Sequence, residues 1–162
     1  MKKVSVGIIM GSDSDLPVMK KAIEVLREFD VTFELKIISA HRSPEFLQDW
    51  CRSIKSKGIK VIIAAAGGAA HLPGVAAAYV TVPVIGVPIS SKAVDSLDSL
   101  LSIVQMPAGV PVATVAIDGA KNSALLAIQI LALSDETLSE KLLHFKKKLA
   151  EESINKNNGL EY

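Results

Sequence analysis

Residues 61–91 contain no Lys, Arg, Asp or Glu, yet Gly67, Gly68, Pro73, Gly74, Pro83, Gly86 and Pro88 cut them into pieces too short to cross a bilayer. An uncharged stretch divided in this way suits strands buried on both faces of a parallel sheet, together with their connections. The spacing predicts a strand over 61–66, a helix over 72–80 and a further strand over 84–87.

The rest of the chain repeats that alternation. Residues 4–10 form a β-branched, apolar run that ends at Gly11 and reads as a first strand. In 16–29, Leu16, Met19, Ala22, Ile23, Leu26 and Phe29 recur at spacings that lay one apolar stripe along a helix. A strand is expected over 32–38. The helix after it, over 45–57, would turn Phe46, Leu47, Trp50, Cys51 and Ile54 inward and be closed by Gly58. A strand over 112–117 and a helix over 122–133 complete the pattern. Strands alternating with helices at this spacing require right-handed crossovers. The expected fold is therefore α/β, a three-layer doubly wound parallel sheet of flavodoxin-like form, with residues 1–162 as a single domain. Residues 136–155 carry Leu138, Leu142, Leu143, Phe145, Leu149 and Ile154 among many charges. They predict an additional amphipathic C-terminal helix over about 134–156, docking outside the domain on a neighbouring subunit, with 157–162 a frayed tail.

Composition narrows the partners. Hydrophobic residues are 49% of the chain and mean hydropathy is +0.37, more apolar surface than a small domain hides alone, so oligomerisation is expected. The formal net charge of +1, with both signs spread along the chain, supplies no field for nucleic acid or an anionic membrane. A lone cysteine, Cys51, excludes an internal disulfide, and no cleavage signal follows Met1-Lys2-Lys3, so the expected location is cytoplasmic.

In a parallel sheet the turns after successive strands converge on one edge, and three of them are chemically unusual. Gly11-Ser12-Asp13-Ser14-Asp15, followed by Leu16-Pro17, holds more capping residues than one helix start requires. Hydroxyls, backbone N–H groups and the positive helix end there suit a phosphate, although a plain N-cap also explains these residue types. In Ser39-Ala40-His41-Arg42-Ser43-Pro44, Ser43 and Pro44 serve as N-cap and first helical residue, which needs neither His41 nor Arg42. A guanidinium beside a helix start matches phosphate, and an imidazole is a general acid–base near neutrality. The alternative is a surface arginine with a hydrogen-bonded histidine. In Gly67-Gly68-Ala69-Ala70-His71-Leu72-Pro73-Gly74 the small side chains admit a flat ring close to the backbone, and His71 ranks below His41 because a lone histidine in an apolar run is more often structural. His144 reads as part of a solvated helix face.

Dinucleotide, Walker-type and nucleophile-elbow motifs are absent, no ligand spacing points to a metal, and Cys51 falls on an inward helix face. The three turns, together with Ser102-Ile103-Val104-Gln105-Met106-Pro107 and Gly109-Val110-Pro111, resemble the 5-(carboxyamino)imidazole ribonucleotide mutase family up to about Leu133. The resemblance is to the microbial mutase type rather than the animal carboxylase type. It implies conversion of that carbamate to its ring-carboxylated isomer in purine biosynthesis, with no metal or organic cofactor, by a homo-octamer. By the same resemblance Ser12 lies near the carboxylate, Asp15 on the ribose hydroxyls, and Arg42 on the phosphate with Ser14 and Ser39 assisting. His41 would carry the proton, while Ala40, Gly68, Ala69, His71 and Leu72 would line the substrate. The chain departs from many members in Ser43, where Thr is usual, and in a shorter turn, Asp118-Gly119-Ala120-Lys121-Asn122. A direct carboxylase, and a non-catalytic nucleotide sensor on the same fold, remain as alternatives.

Overall fold

Alternation along the first strand sets the layers. In β1 (Val6–Met10) every residue is buried; Val6, Ile8 and Met10 enter one core and Ile9 the other. The computed structural model describes residues 4–91 and 93–160, so the start Met1-Lys2-Lys3 and the last two residues of the expected tail lie outside the described residues. The elements that follow are α1 (Leu16–Glu28), β2 (Phe33–Ile37), α2 (Pro44–Lys57), β3 (Val61–Gly67), α3 (Leu72–Tyr79), β4 (Val84–Ile89), α4 (Leu97–Val104), β5 (Ala113–Thr114), α5 (Ala120–Ala132) and α6 (Glu136–Asn155).

The strands pair in parallel in the order β2-β1-β3-β4-β5, the flavodoxin-like order expected. One core joins α1, α5 and the start of α6 to one face of the sheet; the other joins α2, α3 and Ile103 of α4 to the opposite face. Wholly buried Ile8, Ile63 and Ile85 are central to the first core, and each fully buried aliphatic side chain contributes about 1.5–3 kcal/mol. Gly58 ends α2 in the left-handed conformation (φ 84°), its N–H bonded to the Ile54 and Lys55 carbonyls, as the helix-closing role requires.

Four expectations are corrected. Phe46 is half exposed rather than inward, because a position one residue before Leu47 lies about 100° away on the helix. The predicted strand over 112–117 pairs only at Ala113 and Thr114. Its ladder stops at the Gly86–Thr114 pair; two residues on, the Pro88 carbonyl accepts from the Asp118 N–H at 2.8 Å, but Pro88 has no N–H to donate. The helix α4 was not expected from the pattern, being only two turns long. Finally, α6 docks partly on its own domain: Leu138 and Leu142 are buried and Phe145 meets Phe29 edge-on at 5.7 Å. Only the outer positions Leu143, Leu149 and Ile154 stay exposed.

Candidate active site

The carboxyl ends of β1, β2, β3 and β4 open on one cavity of about 470 Å³. Every site residue expected from the sequence lines it: Ser12, Ser14 and Asp15, then Ser39, Ala40, His41 and Arg42, then Gly68, Ala69, His71 and Leu72. The convergence follows from parallel pairing, which puts all strand ends on the same edge.

The first turn is more self-contained than a bare phosphate cradle. Residues 13–15 make a short 3-10 turn with a capping box. Ser12 Oγ accepts from the Ser14 N–H at 3.3 Å, and Asp15 Oδ2 accepts from the Ser12 N–H at 3.2 Å. The N–H groups of Ser12 and Ser14, expected to be free, are thus already partnered. Asp15 is buried, and this desolvation pushes its carboxyl above the ordinary carboxylate value, although hydrogen bonds from the Ser12 backbone, the Ser14 hydroxyl and the Gly11 backbone pull the other way.

In the second turn Ser39 organises Arg42. Ser39 Oγ accepts from both the backbone N–H and Nε of Arg42 at 3.2 Å, while Arg42 Nη2 donates to the Gly11 carbonyl at 2.9 Å. The guanidinium therefore ties the turn after β2 to the end of β1 and holds a fixed positive charge at the cavity. Ser43 occupies the N-cap position, but its side chain caps nothing. Its hydroxyl instead donates to the Ser39 carbonyl at 3.0 Å, because its ψ of 56° differs from the extended backbone of a side-chain-capping residue.

The third turn brings His71 to His41. His41 Nε2 and His71 Nδ1 are 2.8 Å apart, and the rings meet edge-on with centroids 4.9 Å apart. Gly68 has φ 61°, a left-handed conformation that favours glycine, with open space where a Cβ would stand. Gly67, Ala69, His41, Arg42 and His71 are exposed, which leaves one side of the cavity open.

A fourth turn, not singled out from the sequence, adds Ser90 and Ser91 after β4. The same strand-end rule identifies it, but the pair Ser90-Ser91 carries no charged or imidazole group to draw attention. Asp118 Oδ1 accepts from the Ser90 N–H at 2.9 Å, and Ser91 Oγ donates to the Asp98 carboxylate at 3.1 Å. The short turn around Asp118 is thereby attached to the cavity wall. Cys51 is buried away from it, and burial pushes its thiol up to about 11, which disfavours a thiolate nucleophile. His144 is exposed on α6. Among the described residues there is no cluster of His, Cys, Asp and Glu that could hold a metal ion, and no helix is long and apolar enough to cross a membrane.

Residues 5–152 match the family described as AIR carboxylase. The N5-carboxyaminoimidazole ribonucleotide mutase of Pyrococcus abyssi is 64% identical over 141 residues, covering 87% of this chain and 81% of the relative. That of Thermotoga maritima is 52% identical over 156 residues, covering 96% and 91%. The phosphoribosylaminoimidazole carboxylase of Saccharomyces cerevisiae is 54% identical over 161 residues, which are 99% of this chain but 28% of that one. The crystal structure of Treponema denticola PurE superposes with a TM-score of 0.89 at 27% identity, covering 97% of this chain and 98% of that one.

Proposed function

The chain belongs to the AIR carboxylase family, and we propose that it is the mutase of purine biosynthesis that converts 5-(carboxyamino)imidazole ribonucleotide into 4-carboxy-5-aminoimidazole ribonucleotide. The observation that carries this reading is the meeting, in one cavity, of an imidazole for proton transfer with a pinned guanidinium and a ring of hydroxyls for the ribonucleotide.

Arg42 is the phosphate ligand, where a planar charged fork gives a charge-assisted pair, and Ser14 and Ser39 add hydroxyl contacts. Asp15 takes the ribose hydroxyls, donors that offset the desolvation of its buried carboxylate. Ser12 lies by the migrating carboxylate, with Ala40, Gly68, Ala69 and Leu72 packing around the base. His41 protonates the carbamate nitrogen as the N–C bond breaks and carbon dioxide leaves, then removes the proton from the ring carbon once that carbon has captured the carbon dioxide. The chemistry is confined to substrate, side chains and a pocket that retains the gas, with no metal or organic cofactor.

Retention needs a closed pocket. The open side of the cavity supports assembly as a cytoplasmic homo-octamer in which neighbouring copies complete the wall. So do Leu97, Leu101 and Val104, which leave an apolar stripe exposed on α4. Light scattering should then give a mass eight times that of the chain.

The carboxylase name of the yeast relative keeps a second reading in view, direct carboxylation of the non-carboxylated ribonucleotide. The two differ in the source of the new carboxyl group. In labelled bicarbonate, early product made from the carbamate should be mostly unlabelled by mass spectrometry. Full labelling at the first time points, or faster turnover of the non-carboxylated ribonucleotide with bicarbonate, would replace the mutase by the carboxylase.

A further inference from the structure

We propose that Ser90 is a further substrate-binding residue whose hydroxyl meets the polar substituents of the imidazole base, and that Asp118 is the positioning residue that holds it there; the inference rests on the mutase reading above.

The turn that follows β4 is fixed from two sides. From the α4 side, Ser99, wholly buried, donates through Oγ to the Ile89 carbonyl at 3.0 Å. Ser96 Oγ accepts from the Ser91 N–H at 3.0 Å and donates to the Ser91 carbonyl at 3.1 Å, while the Ser91 hydroxyl is engaged by Asp98. From the start of α5, Asp118 Oδ1 accepts from the Ser90 N–H at 2.9 Å. The side chain of Ser90 is what these bonds leave over. Ser90 is exposed on the cavity wall, and its hydroxyl has no hydrogen-bond partner among the described residues. A hydroxyl on a backbone already held in place binds a ligand with little further loss of freedom.

Asp118 adopts a conformation that suits this task and little else. Its φ of 56° is left-handed, disfavoured for a residue with a Cβ although least so for Asp and Asn. Its N–H donates to the Pro88 carbonyl at 2.8 Å, and its own carbonyl accepts from the Ala120 N–H at 2.9 Å. Those two bonds keep the residue in the strained region and bring its carboxylate to Ser90, where a charged acceptor makes the stronger kind of hydrogen bond.

The sheet order decides which end of the substrate Ser90 meets. Arg42 is tied to the Gly11 carbonyl at the end of β1, and β4 lies two strands from β1 with β3 between them, about 10 Å along the sheet edge. With the phosphate on Arg42 and the ribose on Asp15, the base passes the turn after β3, where Gly68 leaves open space. Its far edge, which carries the exocyclic nitrogen and the carboxyl group, then faces the turn after β4. A hydroxyl both donates and accepts, so it serves a carboxyl oxygen or a nitrogen before and after the transfer.

The test is calorimetric titration of wild type, Ser90→Ala, Asp118→Gly, Asp118→Asn and the Ser90→Ala/Asp118→Gly double variant. The two ligands are 4-carboxy-5-aminoimidazole ribonucleotide and ribose 5-phosphate, which lacks the base. Ser90→Ala should weaken the ribonucleotide by roughly 3- to 10-fold, the effect of one hydrogen bond, and leave ribose 5-phosphate within about twofold of wild type. Glycine suits the left-handed backbone at 118, so Asp118→Gly keeps the turn foldable while releasing the Ser90 N–H; its ribonucleotide affinity should fall by a similar factor. Asp118→Asn, whose amide oxygen still accepts, should recover most of that loss. The double variant should bind within about twofold of the weaker single variant, because both changes remove the same contact. A Ser90→Ala loss below about twofold, or an equal loss for ribose 5-phosphate, would overturn the place given to Ser90. Additive losses in the double variant, or an asparagine variant as impaired as glycine, would overturn the role of Asp118. In each of these cases turnover of the carbamate by the wild type leaves the mutase reading standing. Failure of the wild type to bind the ribonucleotide or convert the carbamate would remove that reading and this inference with it.

Discussion

Gly86, in the middle of β4, is the position where the structure leaves least room for a methyl group. A Cβ there would collide with Ile103 Cγ2 and lie 3.0 Å from Val112 Cγ1, with Pro73 Cβ at 3.5 Å. Ile103 is wholly buried and cannot swing into solvent. Overpacking of this kind costs about 1–3 kcal/mol. For a chain of this length each kcal/mol moves Tm by about 2–4 °C, so Gly86→Ala should lower Tm by roughly 2–12 °C. Gly74 provides the contrast. A Cβ there would meet Met106 Sδ at 2.5 Å, the end of a flexible thioether side chain that can repack. Gly74→Ala also gains up to about 1 kcal/mol of helix propensity, so its net effect should stay within about 1 kcal/mol of zero. Differential scanning calorimetry, with urea unfolding to check that m is unchanged, measures both. Adding Ile103→Ala to Gly86→Ala should cost less than the sum of the single changes, because the cavity receives the new methyl group. The reasoning fails if Gly86→Ala melts within 1 °C or so of wild type, if Gly74→Ala costs as much, or if the double variant is additive.

Three further outcomes are expected at the cavity. His41→Asn should reduce turnover by about 10²-fold or more while ribonucleotide affinity changes little; more than about a tenth of the wild-type rate would count against proton transfer by His41. Arg42→Ala should weaken ribonucleotide binding by roughly 10- to 100-fold and the phosphate-free riboside hardly at all, and calorimetric titration showing equal losses would move Arg42 off the phosphate. Burial raises the Asp15 carboxyl above its ordinary value of 3.8, so the folded state holds that proton more tightly than the unfolded chain. The resulting stability is present below the ordinary value and is lost as pH rises through the raised one. Asp15→Asn should therefore melt higher than wild type at neutral pH, by a margin that closes towards the ordinary carboxylate range, while ribonucleotide affinity falls. A margin independent of pH would show that the burial penalty is misassigned.

What was legible in the sequence was whatever depends on local periodicity and on strand ends. The alternation in Val6, Ile8 and Met10, and the stripe of Met19, Ala22, Ile23 and Leu26, specify a sheet with helices on both faces. The strand-end turns then pick out Ser12, Asp15, Ser39, His41, Arg42 and His71 by residue type. The short α4 was missed although Leu97, Leu100, Leu101 and Val104 recur at helical spacing, because its eight residues fall short of the window of about 11–18 over which a period is read. The truncated β5 depended on a proline in the neighbouring strand, and Phe46 on a helix rotation that one position decides. The Ser43 hydroxyl was misjudged because capping depends on ψ, which residue type does not specify.

The pairing of His41 with His71 belongs entirely to the tertiary structure. The residues are 30 positions apart, and nothing in either turn refers to the other. They meet because β2 and β3 flank β1 in the sheet order. Their turns are thus two strand spacings apart, about 10 Å, across the end of the central strand. Two imidazoles reaching inward close that gap. Sequence determined which chemistry stands at each strand end; the order of the strands decided which groups touch.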